Sequence, residues 1–549
     1  MAYIFLGALL LFFAAYKFYG GFLDKTFGID DSCPTPSHSD YDGVDRVPTK
    51  KGVLLGHHFA SIAGAGPIVG PIIAGLAFGW LPALLWIVLG TIFIGGVHDY
   101  TSLIASVRHK AKSVAEIVRL YMSPFAYRMM LVFIWLALVY ILIVFVDLTA
   151  TSFANKGEVA SASGMFVALA LIFGYLVFRK GLPSGKLSLI FVPILFGLFA
   201  LSFVIPADLS ALAQATGISP RQWWSIGLLL YCVAASVLPV WVLLQPRDYL
   251  SSFLLYAAMI GALVGLFLGG FELSYPAFTD WSTVDHGTLF PILFITIACG
   301  ACSGFHSIVS SGTTSKQLDK ETDARPVGYG AMLIEGALAV IALFTVAMLS
   351  PGSEIATKSP LAVYGAGMGR FLNTVGLPVA WGESFGMLTI STFLLTTLDT
   401  STRLARYVFE EFFGLKGGLS KYVAIGATLA LPIAFVFMTM QDASGNPIPV
   451  WKAIWPVFGA TNQLLAALAL LVVYVWLRKT GKPSWFVAGP LLFMLTMTLW
   501  ALTQLVLQSG FTLIGIVSAV LLILAIVMVM EAVRVVFLKA VPEAETVDA

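Results

Sequence analysis

The sequence predicts an all-α polytopic membrane protein with about fifteen transmembrane helices, on three observations. Of its 549 residues, 59% are apolar and 11% charged, against roughly 25% charged in a soluble domain. Apolar runs of about 17 to 25 residues, long enough to cross a hydrocarbon core as helix, recur along the chain. Lys and Arg also segregate: 26 of the 31 fall in alternate loops and their flanking helix ends, from Lys17 through Lys416 to Lys539. The other set of loops holds Lys156, Arg221, Lys358, Arg370 and Lys452. By the positive-inside bias the N-terminus lies outside and the C-terminus in the cytoplasm. A net charge of +2 gives no footing for nucleic acid.

The expected spans are 3–19, 57–78, 81–106, 128–152, 163–179, 187–205, 223–244, 249–270, 288–311, 327–350, 376–402, 421–440, 451–477, 484–507 and 511–537. The first lacks a basic leading segment and a small-residue cleavage site, so it reads as a retained span rather than a signal peptide. The loops at 20–56 and 351–375 are too short for a soluble domain. Residues 1–549 therefore form one domain: the first span and a cytoplasmic loop (1–56), a core (57–402) and accessory C-terminal helices (403–549).

The second span carries His57 and His58 at its start, Ser61 one turn on, then Gly64-Ala-Gly66-Pro67 and a second proline, Pro71. Proline removes a backbone donor and glycine eases departure from helical geometry, so this helix is expected to break near mid-membrane. Backbone left unpaired at that depth survives only against protein or a watery cavity, which makes the break a candidate binding site. Histidine there can change protonation near neutral pH.

Ionisable residues inside later spans are candidates for the same reason. Asp99, after His98, either carries protons or pairs with Arg108. Asp147 and Glu335 are carboxylates that burial can turn into proton carriers. The seventh span closes on Pro239, Gln245 and Arg247, the last a candidate anion holder. In the ninth, Cys299, Cys302 and His306 fall at i, i+3 and i+7 on one helical face, a weak zinc or copper signal without a fourth ligand. Ser303 belongs to the same polar run, and Ser310, Ser311, Thr313 and Thr314 offer oxygen ligands to sodium. Asp399 ends the eleventh span, with Arg403 at i+4 as its local partner. Pro360 to Phe371 is a Gly-rich apolar stretch, read as a re-entrant piece or a packed loop. Four cysteines, three of them in apolar spans, are too few for a disulfide framework.

Several long strings resemble the carbon starvation protein (CstA) family of peptide and pyruvate transporters: Tyr16 to Gly20, Asp42 to Thr49, Gly56 to Pro67, Leu244 to Leu250, Cys299 to Lys316, Thr396 to Tyr407 and Phe458 to Leu465. His98 stands where the family carries Gln. The resemblance implies a LeuT-like five-plus-five inverted repeat, with spans two and seven as the broken helices, interrupted at Gly64 to Pro67 and near Pro239. It also implies a bacterial inner-membrane secondary transporter importing pyruvate or short peptides, with no enzymatic cofactor. Protons are the first choice of coupling ion and sodium, through the Ser/Thr cluster, the second. An ion channel and a metal-containing membrane enzyme are the rival classes.

Overall fold

A computed structural model describes residues 1–43, 45–239, 241–283, 287–415, 417–441 and 447–538. Lys416 and Lys539, two of the topology markers, lie outside them. Among the described residues the regular elements are helical apart from two short antiparallel strand pairs, Ser282–Thr283 with Gly287–Thr288 and Met440–Gln441 with Pro447–Ile448. Among the described residues, eleven helices are long and apolar enough to cross a membrane, and one bent pair makes a twelfth. The number fifteen is not confirmed by that measure. Pro220–Val237 and Val379–Phe413, at two expected positions, do not meet it; the second carries a run of Thr, Ser, Asp and Arg residues from Thr396 to Arg403.

The bent pair is the expected one. Lys51–Ile62 and Gly66–Phe78 meet at 47°. Pro67 sits in the first turn of the second half, where its missing N–H costs nothing.

The second break is not where it was expected. Helix Pro220–Val237 ends before Pro239, and Leu244–Leu268 follows as a separate helix. Pro239 thus belongs to a connection between helices. The interrupted partner is the ninth span, split into Leu289–Thr296 and Gly304–Gly312. It packs break to break against the first: a Cβ on Gly66 would lie 2.3 Å from Cys299 Sγ, and one on Gly70 would lie 2.5 Å from the Thr296 carbonyl oxygen. Small residues let these backbones approach, as helix packing within a bilayer requires.

The Gly-rich stretch Pro360 to Phe371 forms a regular helix, Pro360–Asn373, capped by Ser359, rather than an irregular loop. It lies along Val379–Phe413 through Gly365, Gly369 and Gly382, where a Cβ would meet neighbours at 2.8 or 2.9 Å.

Candidate functional site: two helix breaks and two buried ionic networks

At the first break Ala63 leaves helical geometry, and the Gly64 N–H donates to Ile62 O at 2.8 Å. A small cavity, with room for about one water molecule, lies there, lined by Gly64, Gly66, Cys299, Thr397, Asn462 and a shell of Ile and Phe side chains. The second break lies opposite. Its freed carbonyls are met by side chains: Trp86 Nε1 donates to Ile297 O at 3.2 Å, and Thr91 Oγ1 to Gly300 O at 3.2 Å. Irregular backbone at membrane depth is tolerable only with such partners.

A buried chain of titratable groups runs beside the breaks. His98 Nδ1 lies 2.7 Å from Asp99 Oδ1, and His306 Nδ1 lies 2.7 Å from Asp99 Oδ2. His306 Nε2 is 3.4 Å from Glu335 Oε2. All four side chains are 0% exposed. His58, also buried, pairs through Nδ1 with Thr314 Oγ1 at 2.8 Å. Asp99 is therefore not Arg108's partner. Arg108 Nε reaches Glu321 Oε1 at 2.6 Å instead.

A second network gathers residues from four helices. Arg247 Nη1 meets Asp399 Oδ2 at 2.5 Å, and Arg247 Nη2 meets Asp248 Oδ1 at 3.1 Å. The Tyr231 hydroxyl donates to Asp399 Oδ2 at 2.8 Å, and Thr396 Oγ1 to Asp248 Oδ1 at 2.9 Å. His57 Nδ1 stands 3.9 Å from Asp248 Oδ2. The guanidinium that looked available for an anion is thus occupied by two carboxylates. Asp399 does not use its i+4 neighbour: Arg403 donates to the Ala235 and Leu238 carbonyls, capping the end of Pro220–Val237. Asp147 forms a third pair with Arg221 and accepts from the Trp451 N–H at 2.9 Å.

The remaining candidates are dispersed. Ser61 Oγ donates to the His57 carbonyl at 2.9 Å, and Gln245 is half-buried at the start of Leu244–Leu268. Ser311 and Thr313 donate to Ser307 O and Val309 O, within their own helical segment. Cys299 and Cys302 lie in the break rather than on a helix, so they do not share a continuous helical face with His306. Among the described residues no group of three or more His, Cys, Asp or Glu side chains is placed to hold a metal. Asn462 and Gln463, within the string Phe458 to Leu465, are both buried against the second break, and Asn462 lines the cavity.

Known proteins match this chain along most of its length. The peptide transporter CstA of Campylobacter jejuni is 33% identical over 562 residues, covering 91% of this chain and 79% of that one. The Bacillus subtilis peptide transporter CstA is 32% identical, covering 95% and 94%. The pyruvate/proton symporter BtsT of Escherichia coli is 31% identical, covering 91% and 81%. Among solved structures, MhsT in complex with L-phenylalanine aligns at a TM-score of 0.48 with 14% identity, covering 88% of this chain and 99% of that one. The carbon starvation protein CstA family matches residues 1–366 and 352–501, and the chain, a multi-pass membrane protein related to transporters rather than to enzymes, belongs to that family.

Proposed function

We propose that this protein is a proton-coupled secondary transporter that imports a small carbon source, pyruvate or short peptides, across the bacterial inner membrane by alternating access. The observation that carries the reading is the buried His98–Asp99–His306–Glu335 chain against the second broken helix. Ionisable groups so far from water are expensive and are retained chiefly for ion pathways and proton relays. Two interrupted helices packed break to break beside a small cavity support alternating access, because discontinuous helices of this kind build transporter binding sites near the bilayer midplane. The relatives, a pyruvate/proton symporter and peptide transporters, point to the same substrates and to the same ion. In this reading Gly64, Gly66, Pro67 and Ser303 shape the substrate path, His57 and His58 flank its cytoplasmic mouth, and the N-terminus lies outside.

Uptake of labelled pyruvate into proteoliposomes tests it. Accumulation against a gradient is expected with an imposed pH step, inside alkaline, and not with a sodium gradient alone. Accumulation driven only by sodium would transfer coupling to the Ser310, Ser311, Thr313 and Thr314 cluster, a second reading favoured by the buried Ser310 hydroxyl, which has no hydrogen-bond partner. Flux independent of both gradients would make the protein a channel.

A further inference from the structure

We infer that Asn462 and Gln463, neighbours on helix Val450–Lys479, form a clamp that holds the second helix break in its working geometry. A helix interrupted in mid-membrane exposes two sets of orphan groups: carbonyls where the first half ends and N–H groups where the second half begins. The two side chains divide these between them. Gln463 Nε2 donates to the Phe294, Ala298 and Ile297 carbonyls at 3.0, 3.3 and 3.5 Å, at the end of Leu289–Thr296 and just beyond it. Asn462 Oδ1 accepts from the Phe305 N–H at 3.1 Å, at the start of Gly304–Gly312. Its Nδ2 turns to Ser303 Oγ at 3.1 Å and Cys299 Sγ at 3.4 Å, between the two halves.

The residue types follow from this division of labour. Asn and Gln carry donor and acceptor on one neutral side chain, so they meet both lips of the break without placing a charge in the membrane. Backbone contact fixes the register of the clamp. A Cβ on Gly459 would lie 2.1 Å from Ile295 O, and one on Gly304 would lie 2.4 Å from Asn462 O. The helix thus touches the first half of the broken span at Gly459 and the second half at Gly304. Both clamp side chains are buried, and Asn462 also lines the cavity at the first break. They are positioning residues, acting on substrate through the backbone of residues 294–305. The inference deepens the transport reading and rests on it for its consequence, a change in substrate affinity.

Cys299 reports on the clamp without any transport, because it lies inside the break and is contacted by Asn462. The full-length protein in proteoliposomes is treated with a membrane-permeant maleimide, and modification of each cysteine is followed by peptide mass spectrometry. Gln463→Leu takes the side-chain donor from the Phe294 carbonyl, while Ile297 O keeps Trp86 and Ala298 O keeps the Cys302 N–H, and Asn462→Leu takes the acceptor from the Phe305 N–H. Each is expected to speed Cys299 modification about ten-fold, in keeping with the cost of an unsatisfied buried group. Gln463→Glu keeps the size of the side chain but loses the donor, and should behave as Gln463→Leu. Cys232, buried elsewhere, is the internal control. Unchanged Cys299 reactivity in both leucine variants would overturn the clamp, and so would a parallel rise at Cys232, which would mean general loosening. In the same vesicles Asn462→Leu is expected to raise the KM for labelled pyruvate more than it lowers kcat. If wild-type vesicles take up no pyruvate, the transport reading fails while the cysteine result still decides the clamp.

Discussion

His306 and Asp99 face each other at 2.7 Å, Nδ1 to Oδ2, with neither side chain exposed to solvent. The other carboxylate oxygen of Asp99 is taken by His98, so this aspartate is fixed from both sides. Glu335 is held more loosely. It stands 3.4 Å from His306 Nε2, and neither of its oxygens has a hydrogen-bond partner. A group that must gain and lose a proton in each cycle is better served by the loose position than by the fixed one, and that contrast separates the expected behaviour of the two carboxylates.

Glu335→Gln is isosteric and breaks no hydrogen bond, so stability should change by no more than about 1 kcal/mol. Accumulation driven by a pH step should fall to background, while exchange of labelled for unlabelled pyruvate at equal pH persists. Asp99→Asn removes the charge that two histidines share, and its thermal unfolding midpoint should drop well below that of Glu335→Gln. Equal uptake by wild type and Glu335→Gln would take this glutamate out of coupling.

The contact between the two breaks predicts a specific rescue. Gly66→Ala drives a methyl into Cys299 Sγ and Cβ, at 2.3 and 2.4 Å, whereas Gly70→Ala meets the Thr296 backbone oxygen at 2.5 Å. Each should abolish uptake and cost about 1–3 kcal/mol through overpacking. Adding Cys299→Gly removes the obstructing side chain and should restore the stability of Gly66→Ala, but not that of Gly70→Ala. Paired thermal unfolding of the four variants reads the difference directly.

The first break was legible because Gly64, Gly66, Pro67 and Pro71 all act on local backbone geometry, which sequence reports. The second was misplaced for a related reason. Pro239 is a strong local signal but falls between helices, whereas the break at residues 297–303 contains no proline. Its only local signals are Gly300 and Gly304, and the i, i+3, i+7 argument for Cys299, Cys302 and His306 assumed a helix running straight through them. Partners distant in sequence were the least visible. Asp399 had Arg403 one turn away, but Arg247 reaches it from a different helix. Asp99 seemed matched to Arg108 until folding brought His306 and Glu335 alongside.

The Arg247 network predicts unequal costs for its members. One guanidinium faces two carboxylates, Asp399 and Asp248. Removing the cation leaves two buried anions without a counter-charge, so Arg247→Met should destabilise by about 3–5 kcal/mol. Asp399→Asn leaves Arg247 balanced by Asp248 and should cost clearly less. Thermal unfolding of the detergent-solubilised variants checks the order, and a larger loss in Asp399→Asn would mean that Asp248, not Asp399, is the dispensable anion.

The identity of the coupling ion can be tested at the hydroxyl cluster without disturbing the histidines. Ser311 Oγ and Thr313 Oγ1 already donate to carbonyls of their own segment, whereas Thr314 Oγ1 is engaged by His58. Ser311 Oγ also accepts from the Val114 N–H at 3.3 Å, but a hydroxyl has two lone pairs, so geometry alone does not separate the two ions, whereas substitution does. Ser311→Ala and Thr313→Val remove one oxygen each and should preserve uptake driven by a pH step, because the His98–Asp99–His306–Glu335 chain is untouched. Under sodium coupling the same two variants would raise the sodium concentration needed for half-maximal uptake by about ten-fold or more, the cost of one lost ligand contact of about 1.4 kcal/mol. Measuring uptake against sodium at fixed pH, and against pH without sodium, assigns the driving ion to one set of residues or the other.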